Sequence, residues 1–215
     1  MYEFFYGIFE YIGSHRETWL EAVRAHFFIS VTILFASVVI GVPTGALCAK
    51  KPVLSSIVIN FFNILKVIPS LALLLLALPV IGIGFWPACF ALMVHSIPTI
   101  LISSYTGMRQ VEAAILESAV GMGLSPGEIF WKVELPLAAP FIMTGVRTCA
   151  VDVIATTTIA SYIGAGGLGE LVMFGISFMN LTAVVTGGLT IASLSLAVDA
   201  AFGLLQRRLC RIPVE

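Results

Sequence analysis

Charged side chains are scarce in this sequence. Lysine and arginine number 11, aspartate and glutamate 12, and together they make 11% of 215 residues. Soluble domains average about 25% charged residues. Hydrophobic residues make up 59% of the chain, and a compact soluble domain of this size leaves about a third of its unfolded surface in water. The composition therefore excludes a soluble enzyme and indicates an integral membrane protein, which we expect to be all-α.

Other absences exclude further classes of function. A net charge of −1 offers no basic surface for nucleic acid. Cys48, Cys89, Cys149 and Cys210 lie in or beside apolar runs without C-x-x-C spacing, so we expect them to pack as small hydrophobes. The sequence has no metal-ligand constellation and no nucleophile with a partnered base. It therefore predicts no catalytic residue, no metal site and no cofactor in this chain.

Charge-free runs predict where the chain crosses a membrane, since a span needs about 20 apolar residues. Five spans fit these runs: 27–49, two within 53–108, about 138–162 and about 180–205. The glycines and Pro87 in 81–87 predict the turn between the second and third spans. A six-helix alternative stays open if Pro69 and Pro79 split the second span.

Loop cations predict the orientation. Lys50 and Lys51 lie in the first loop, Arg109 and Lys132 in the third, and arginines cluster near the C-terminus. The positive-inside rule then predicts a cytoplasmic C-terminus and an external N-terminus. Three regions follow: an external segment 1–20, a transmembrane region 21–209 and a cytoplasmic tail 210–215.

The first residues are rich in aromatic side chains. Residues 2–12 are too short to span a membrane, which favours an interfacial helix on the outer leaflet. An aromatic box for a cationic ligand is the alternative. This region lacks the basic start of a cleavable signal peptide.

The longest polar segment, residues 109–136, has the signals of a helix, a tight turn and a second helix. Small or apolar residues recur at helical spacing from Val111, and Gly123 stands where a helix ends with positive φ. Residues 125–128, Ser-Pro-Gly-Glu, have the pattern of a capping box. We expect the second helix to reach Glu134 and to end at Pro136.

This segment also carries an apolar patch. Ile129, Phe130 and Trp131 would be exposed beside Leu135, and such a patch normally marks a surface that a partner or a membrane covers. Ordinary connections run about 4–6 residues. The segment is therefore predicted to be a docking element on the cytoplasmic face.

The same segment resembles the EAA loop of the membrane subunits of bacterial ATP-binding-cassette (ABC) importers. That pattern is E-A-A, three residues, G, nine residues, I-x-L-P, and here Ser118 and Val133 replace alanine and isoleucine. In that family the loop docks into a cleft of the cytoplasmic ATPase and transmits its nucleotide-driven closure. The resemblance implies ATPase-coupling roles for Glu117, Ser118, Ala119, Gly123, Val133, Leu135 and Pro136.

Further segments resemble the branch of this family that transports glycine betaine, choline or carnitine. They are HFFISVT from His26, IPSLAL from Ile68, residues 136–147 and residues 163–170. The resemblance implies a MetI-like fold in a bacterial inner membrane. It also implies a second permease subunit, identical or paralogous, a cytoplasmic ABC ATPase dimer that binds ATP and Mg, and an external solute-binding protein.

Three alternatives for the function stay open. The importer could carry another small solute, such as an amino acid. An ATPase-independent secondary transporter would show inverted repeats, and none is convincing here. A membrane enzyme would need a catalytic constellation. The chain itself contains no P-loop, so ATP hydrolysis is expected on a partner subunit.

Charges within spans cost about 2.5–3.5 kcal/mol each on insertion scales, so Lys66, Arg147 and Asp152 should face protein or water. We predict a translocation path formed by Lys66, Pro69, Ser70, Asp152, Thr156 and Thr157. Helix packing through small residues and an internal ion pair, such as Lys66 with Asp152, are equal alternatives. The external glycines Gly164, Gly166, Gly167 and Gly169 are predicted to permit close backbone approach at the pore mouth or to contact the binding protein.

Overall fold

The computed structural model describes residues 2–209, with side chains for residues 6–208. Within this range the chain is helical and contains no β-strand, as the composition predicted. Its helices are α1 (Tyr2–Ser14), α2 (Arg16–Lys50), α3 (Pro52–Val67), α4 (Ser70–Ile81), α5 (Phe85–Arg109), α6 (Ala113–Gly121), α7 (Pro126–Ile129), α8 (Leu135–Ala160), α9 (Leu168–Ser177) and α10 (Leu181–Leu209). The predicted tail 210–215, with Cys210, lies outside the described residues.

The number of spans agrees with the prediction of five. Among the described residues four helical stretches are long and apolar enough to cross a membrane, and α3 with α4 makes a fifth if this bent pair is one span. The helix α2 begins at Arg16, well before the predicted start at Phe27. Its first turns carry charges, so the charge-free criterion found only the apolar part of the helix.

The second span is broken and not merely kinked. The axes of α3 and α4 meet at 96°, because Ile68 and Pro69 are extended and Pro69 has no N–H to continue the helix. Pro79 lies inside α4 and does not divide it. The six-helix alternative is therefore wrong, since α4 is too short to cross a membrane alone.

The core lies where α2, α5 and α8 pack together. Ile33, Leu92 and Val153 are completely buried there. Polar groups at the same interface find partners across it, because His26 Nε2 lies 3.0 Å from the Ile154 carbonyl oxygen and the Ser30 hydroxyl donates to Thr157 Oγ1. Cys48, Cys89 and Cys149 are free and buried, so their predicted packing role is confirmed.

Two short helices lie outside the five spans. The predicted N-terminal helix is present as α1, which packs against α10; its position on the outer leaflet stays a prediction. The helix α9 was not predicted from the sequence. It follows the glycine-rich segment and packs mainly against α10, with further contacts to α2 and α8, and its short apolar run gave no span signal.

Candidate coupling loop and translocation path

The polar segment 109–136 folds as the two capped helices that its sequence indicates. The first is α6, which ends before Gly123, whose φ is +80°. The second begins with a complete capping box: the Ser125 hydroxyl accepts from the Glu128 N–H, and the Glu128 carboxylate accepts from the Ser125 N–H at 3.1 Å. Lys132 also binds Glu128, at 2.8 Å. The Lys132 ammonium and Ser125 donors lower the pKa of Glu128 to about 2.

The prediction that Pro136 ends the second helix is wrong. The chain continues from α7 through a π-helical turn, Phe130–Glu134, directly into α8, with Pro136 in the first turn of α8. The Leu135 N–H bonds the Phe130 carbonyl five residues back. This wider turn accommodates a proline, which an ordinary α-helix would not. The short helix α7 and the span α8 are therefore one continuous helical stretch.

The predicted apolar patch is only partly exposed. Ile129 is buried and Phe130 packs against the core, whereas Trp131 is exposed. The expectation that all three are exposed is wrong, because the helix turns Ile129 and Phe130 toward the bundle. On α6 and its end, Val120 and Met122 are the strongly exposed apolar residues. The exposed surface of this segment includes these side chains together with Glu117 and Trp131.

The loop residues to which the family resemblance assigns coupling roles differ in their exposure to solvent. Glu117, Ser118, Gly123 and Pro136 are exposed, whereas Ala119 is buried, Val133 is half-buried and Leu135 packs against the core. A partner can touch only the exposed group. The buried group instead supports the loop.

Lys50, at the end of α2, ties the loop to the bundle. Its ammonium lies 2.9 Å from Glu134 Oε2 and 4.7 Å from the centre of the Phe130 ring. A cavity of about 500 Å³ separates α6 from the ends of α2 and α5. The loop is thus anchored at its α8 end, and α6 packs against α7 and the π-helical turn. The sequence showed Lys50 as a loop cation but not its partners.

Lys66 and Asp152 do not pair. The salt bridges among residues 6–208 join Lys50 to Glu134, Lys132 to Glu128, Arg147 to Asp199 and, at 4.0 Å, His95 to Asp152. The hypothesis of a Lys66–Asp152 pair is therefore wrong for this chain by itself. Lys66 is exposed at the end of α3, next to the break at Pro69, and Ser70 begins α4.

The two predicted path threonines have different surroundings. Thr156 is half-buried, and its hydroxyl donates to the Asp152 carbonyl at 2.9 Å. Thr157 is completely buried against Ser30 of α2. A solute cannot reach Thr157 in this conformation, so its assignment to the path is not supported by the structure.

Arg147 has a partner that the sequence did not reveal. Its guanidinium binds the Asp199 carboxylate with two bonds of 2.6 and 2.7 Å, joining α8 to α10. Gln206 adds a bond to Thr144 Oγ1 at 2.9 Å. The sequence signal that could have indicated this pair is that both charges lie within predicted spans and have opposite signs. Only the packing of α10 on α8 decides that they meet.

The external glycine segment packs against the bundle. A Cβ on Gly169 would overlap the Thr158 carbonyl oxygen and the Ser161 side chain, and a Cβ on Gly167 would lie 3.3 Å from His26. Gly164 and Gly166 have positive φ and open surroundings. Gly167 thus closely approaches α2 and Gly169 closely approaches α8, while their place at the pore mouth or against a binding protein stays a prediction.

Comparisons with known proteins give a consistent result. Residues 41–211 match the family described as "Binding-protein-dependent transport system inner membrane component". The chain is similar to the carnitine transport permease protein OpuCB of Listeria monocytogenes, with 37% identity over 86% of this chain and 84% of that protein. It is also similar to the glycine betaine/carnitine/choline transport system permease protein OpuCD of Bacillus subtilis, with 37% identity over 90% and 85%.

A solved structure has the same fold. The MetNI methionine ABC transporter in an inward-facing conformation aligns with a TM-score of 0.80 and 23% identity, covering 92% of this chain and 99% of that one.

Proposed function

Since this chain belongs to the family of inner membrane components of binding-protein-dependent transport systems and is a permease subunit of an ABC importer, we propose that it carries a quaternary ammonium solute. Glycine betaine, carnitine and choline are the candidates, because the relatives are described as permeases for them. The protein crosses the membrane several times. Its proposed orientation has an external N-terminus and a cytoplasmic C-terminus.

The observation that carries the coupling role is the continuity of α7 with α8. An ATPase that contacts Trp131 would act on a stretch that runs unbroken from α7 into the bundle, and α6, which carries Glu117 and Val120 and ends at Met122, packs against α7 and the π-helical turn of that stretch. ATP and Mg belong to this partner ATPase dimer. The residues proposed to take part are Glu117, Ser118, Gly123 and Pro136 by contact and Ala119, Val133 and Leu135 by support.

The proposed transport path lies beside the break between α3 and α4. Its residues are Lys66, Pro69, Ser70, Asp152 and Thr156. A second permease subunit, identical or paralogous, would complete it, because unpaired backbone and charges at membrane depth need cover by protein or water. The glycine segment 164–169 would face the external solute-binding protein.

Co-purification tests the coupling role. Gly123→Asp should abolish copurification of the ATPase, since the substitution strains a position with φ of +80° and puts a charge into the turn. Gly121→Asp is the matched control, because a side chain there meets open space. Equal ATPase recovery with both variants would contradict the proposal.

Uptake by the reconstituted complex tests the substrate. ATP-dependent accumulation of labelled glycine betaine, carnitine or choline is expected, and unlabelled methionine should not compete. Competition by methionine would favour the amino-acid alternative, for which the shared fold is the only structural argument. Accumulation without any ATPase would instead indicate a secondary transporter.

A further inference from the structure

A cavity of about 430 Å³ lies between the junction of α1 with α2 and the first turns of α9. The helix α2 begins here, whereas its other end, at Lys50, is bound to the coupling loop. The cavity is therefore far from the ATPase-coupling segment. Its lining includes Tyr11, His15, Glu21, Gly167, Glu170 and Phe174.

The charged groups of this cavity are all negative. Glu21 of α2 and Glu170 of α9 line it, and the described residues of the lining include no lysine or arginine. Neither carboxylate takes part in a salt bridge among residues 6–208. A cleft lined by charges of one sign concentrates ions of the opposite sign. The cavity therefore favours a cation from outside the chain.

The rest of the lining is suited to an organic cation. The rings of Tyr11 and His15 stack with their centres 4.4 Å apart, and Phe174 lines the cavity from α9. Ala25 and Leu171 add apolar surface. Aromatic rings attract cations through their negative faces, and quaternary ammonium groups are commonly recognised in this way.

A metal ion fits the cavity poorly. Among the described residues no group of three or more His, Cys, Asp or Glu side chains could hold a metal, although His15, Glu21 and Glu170 all line this cavity. Their side chains are thus spread around a larger space. The volume of about 430 Å³ lies within the range of about 300–1,000 Å³ that is usual for small-molecule pockets.

We infer that this cavity binds a small quaternary ammonium cation such as choline. Glu21 and Glu170 supply the counter-charges, and the rings of Tyr11 and Phe174 contact the methyl groups. A zwitterion such as glycine betaine adds a carboxylate, which two glutamates repel, so the cavity prefers choline. The inference goes beyond the function proposed above, because binding here requires neither ATP nor the path beside Pro69.

The test measures equilibrium binding of labelled choline to the purified permease–ATPase complex in nanodiscs, without ATP and without the solute-binding protein. Ionic strength is held constant, because exposed charges are screened by salt. Saturable binding is expected. Tetramethylammonium should displace the bound choline, and an equal concentration of glycine betaine should not.

Matched variants locate the bound choline. Glu170→Gln and Glu21→Gln should each weaken binding about threefold to fivefold, as expected for one partly exposed charge pair. Glu17→Gln removes an exposed acid of α2 that is not part of the lining, and it should leave the affinity unchanged. Tyr11→Leu should weaken binding about threefold, whereas Tyr11→Phe keeps the ring and should bind as the unmodified chain does.

Three outcomes would overturn the inference. The first is the absence of saturable choline binding, or equally effective displacement by glycine betaine. The second is weaker binding in Asp152→Asn with unchanged binding in Glu170→Gln, which would place the choline in the transport path. The third is no choline binding together with weaker capture of the solute-binding protein by Glu170→Gln, which would assign the cavity to a basic side chain of that protein.

Discussion

The cytoplasmic segment 109–136 and the external segment 161–180 both join spanning helices, but they are stabilised in different ways. The cytoplasmic segment is ordered by groups close in sequence, as in the bonds between Ser125 and Glu128. The external segment is ordered by helices that press against glycines, as His26 of the distant helix α2 does against Gly167. The local shape of the first segment therefore depends mainly on residues close in sequence, whereas that of the second depends on its contacts with the bundle.

The turn between α9 and α10 on the external side also depends on close packing at a glycine. Gly175 in α9 approaches Val184 and the Asn180 carbonyl so closely that a Cβ would lie 2.6 Å from a Val184 methyl. The Asn180 side chain accepts from the Ala183 N–H and caps α10. The turn between α9 and α10 thus requires both glycine and tertiary contact. Changes at the two segments should accordingly have different consequences.

The largest expected effect is at Gly169. Gly169→Ala puts a Cβ against the Thr158 carbonyl and Ser161, and such overpacking costs about 1–3 kcal/mol. The Tm of the purified complex should fall. Gly188→Ala, in α10 with open surroundings, is the matched control and should leave Tm unchanged or raised. Equal Tm values for both variants would contradict the tight packing of the external segment.

The next effect is the loss of the cap in Ser125→Ala. Removing this cap costs about 1 kcal/mol of local stability, so the amides of Glu128 and Ile129 should exchange hydrogen several-fold faster. The Tm of the whole complex should fall less than in Gly169→Ala, because the lost bond lies within this turn and no contact with the bundle is removed. Ser118→Ala is the control, since its hydroxyl bonds the Ala114 carbonyl of its own helix. A fall in Tm as large as that of Gly169→Ala would contradict the local character of this cap.

A smaller effect is expected where the two kinds of stabilisation meet, at Lys50 and Glu134. Their ammonium and carboxylate are partly exposed, and exposed pairs contribute about 0.2–1 kcal/mol. A double-mutant cycle with Lys50→Met and Glu134→Gln should give a coupling energy in this range. Lys51→Met in place of Lys50→Met should show no coupling to Glu134. Coupling from Lys51 would contradict the observed pairing.

The smallest effect is that of pH on the cytoplasmic segment. The pKa of Glu128 is lowered from 4.5 to about 2, so its ionised form stabilises the capping box above pH 4.5. That contribution is lost as the pH falls from 4.5 toward 2. Amide exchange at Glu128, corrected for its intrinsic pH dependence, should therefore change little between pH 7 and 5. A rise in this corrected exchange rate as the pH falls from 7 to 5 would contradict the lowered pKa.

The cytoplasmic segment was the more predictable of the two regions. The positive φ at Gly123 and the capping box at Ser125 follow from side chains within a few residues of each other. The continuation through Pro136 did not follow, because a proline ends a helix in most contexts and the π-helical turn that accommodates it leaves no simple sequence signal. The burial of Ile129 and Phe130 likewise depends on how this turn points toward the bundle.

Intramembrane charges show the same division. Because charges are rare within apolar spans, the sequence is enough to single out Lys66, Arg147 and Asp152. Which of them pair could not be read from it, since Arg147 meets Asp199 across 52 residues of chain whereas Lys66 meets no acid among the described side chains. Opposite signs in neighbouring helices are not sufficient, because pairing needs a shared depth and facing sides of both helices.

The sequence by itself determined that this chain is helical and membrane-spanning, where most of its spans lie, and that residues 109–136 contain two helices separated by a turn at Gly123. These properties depend on hydropathy over about 20 residues and on hydrogen bonds within a turn, both of which are local. The tertiary structure decided the 96° angle between α3 and α4, the Arg147–Asp199 pair and the close glycine contacts of the external segment. Those depend on distances between helices far apart in the chain, which only their packing sets.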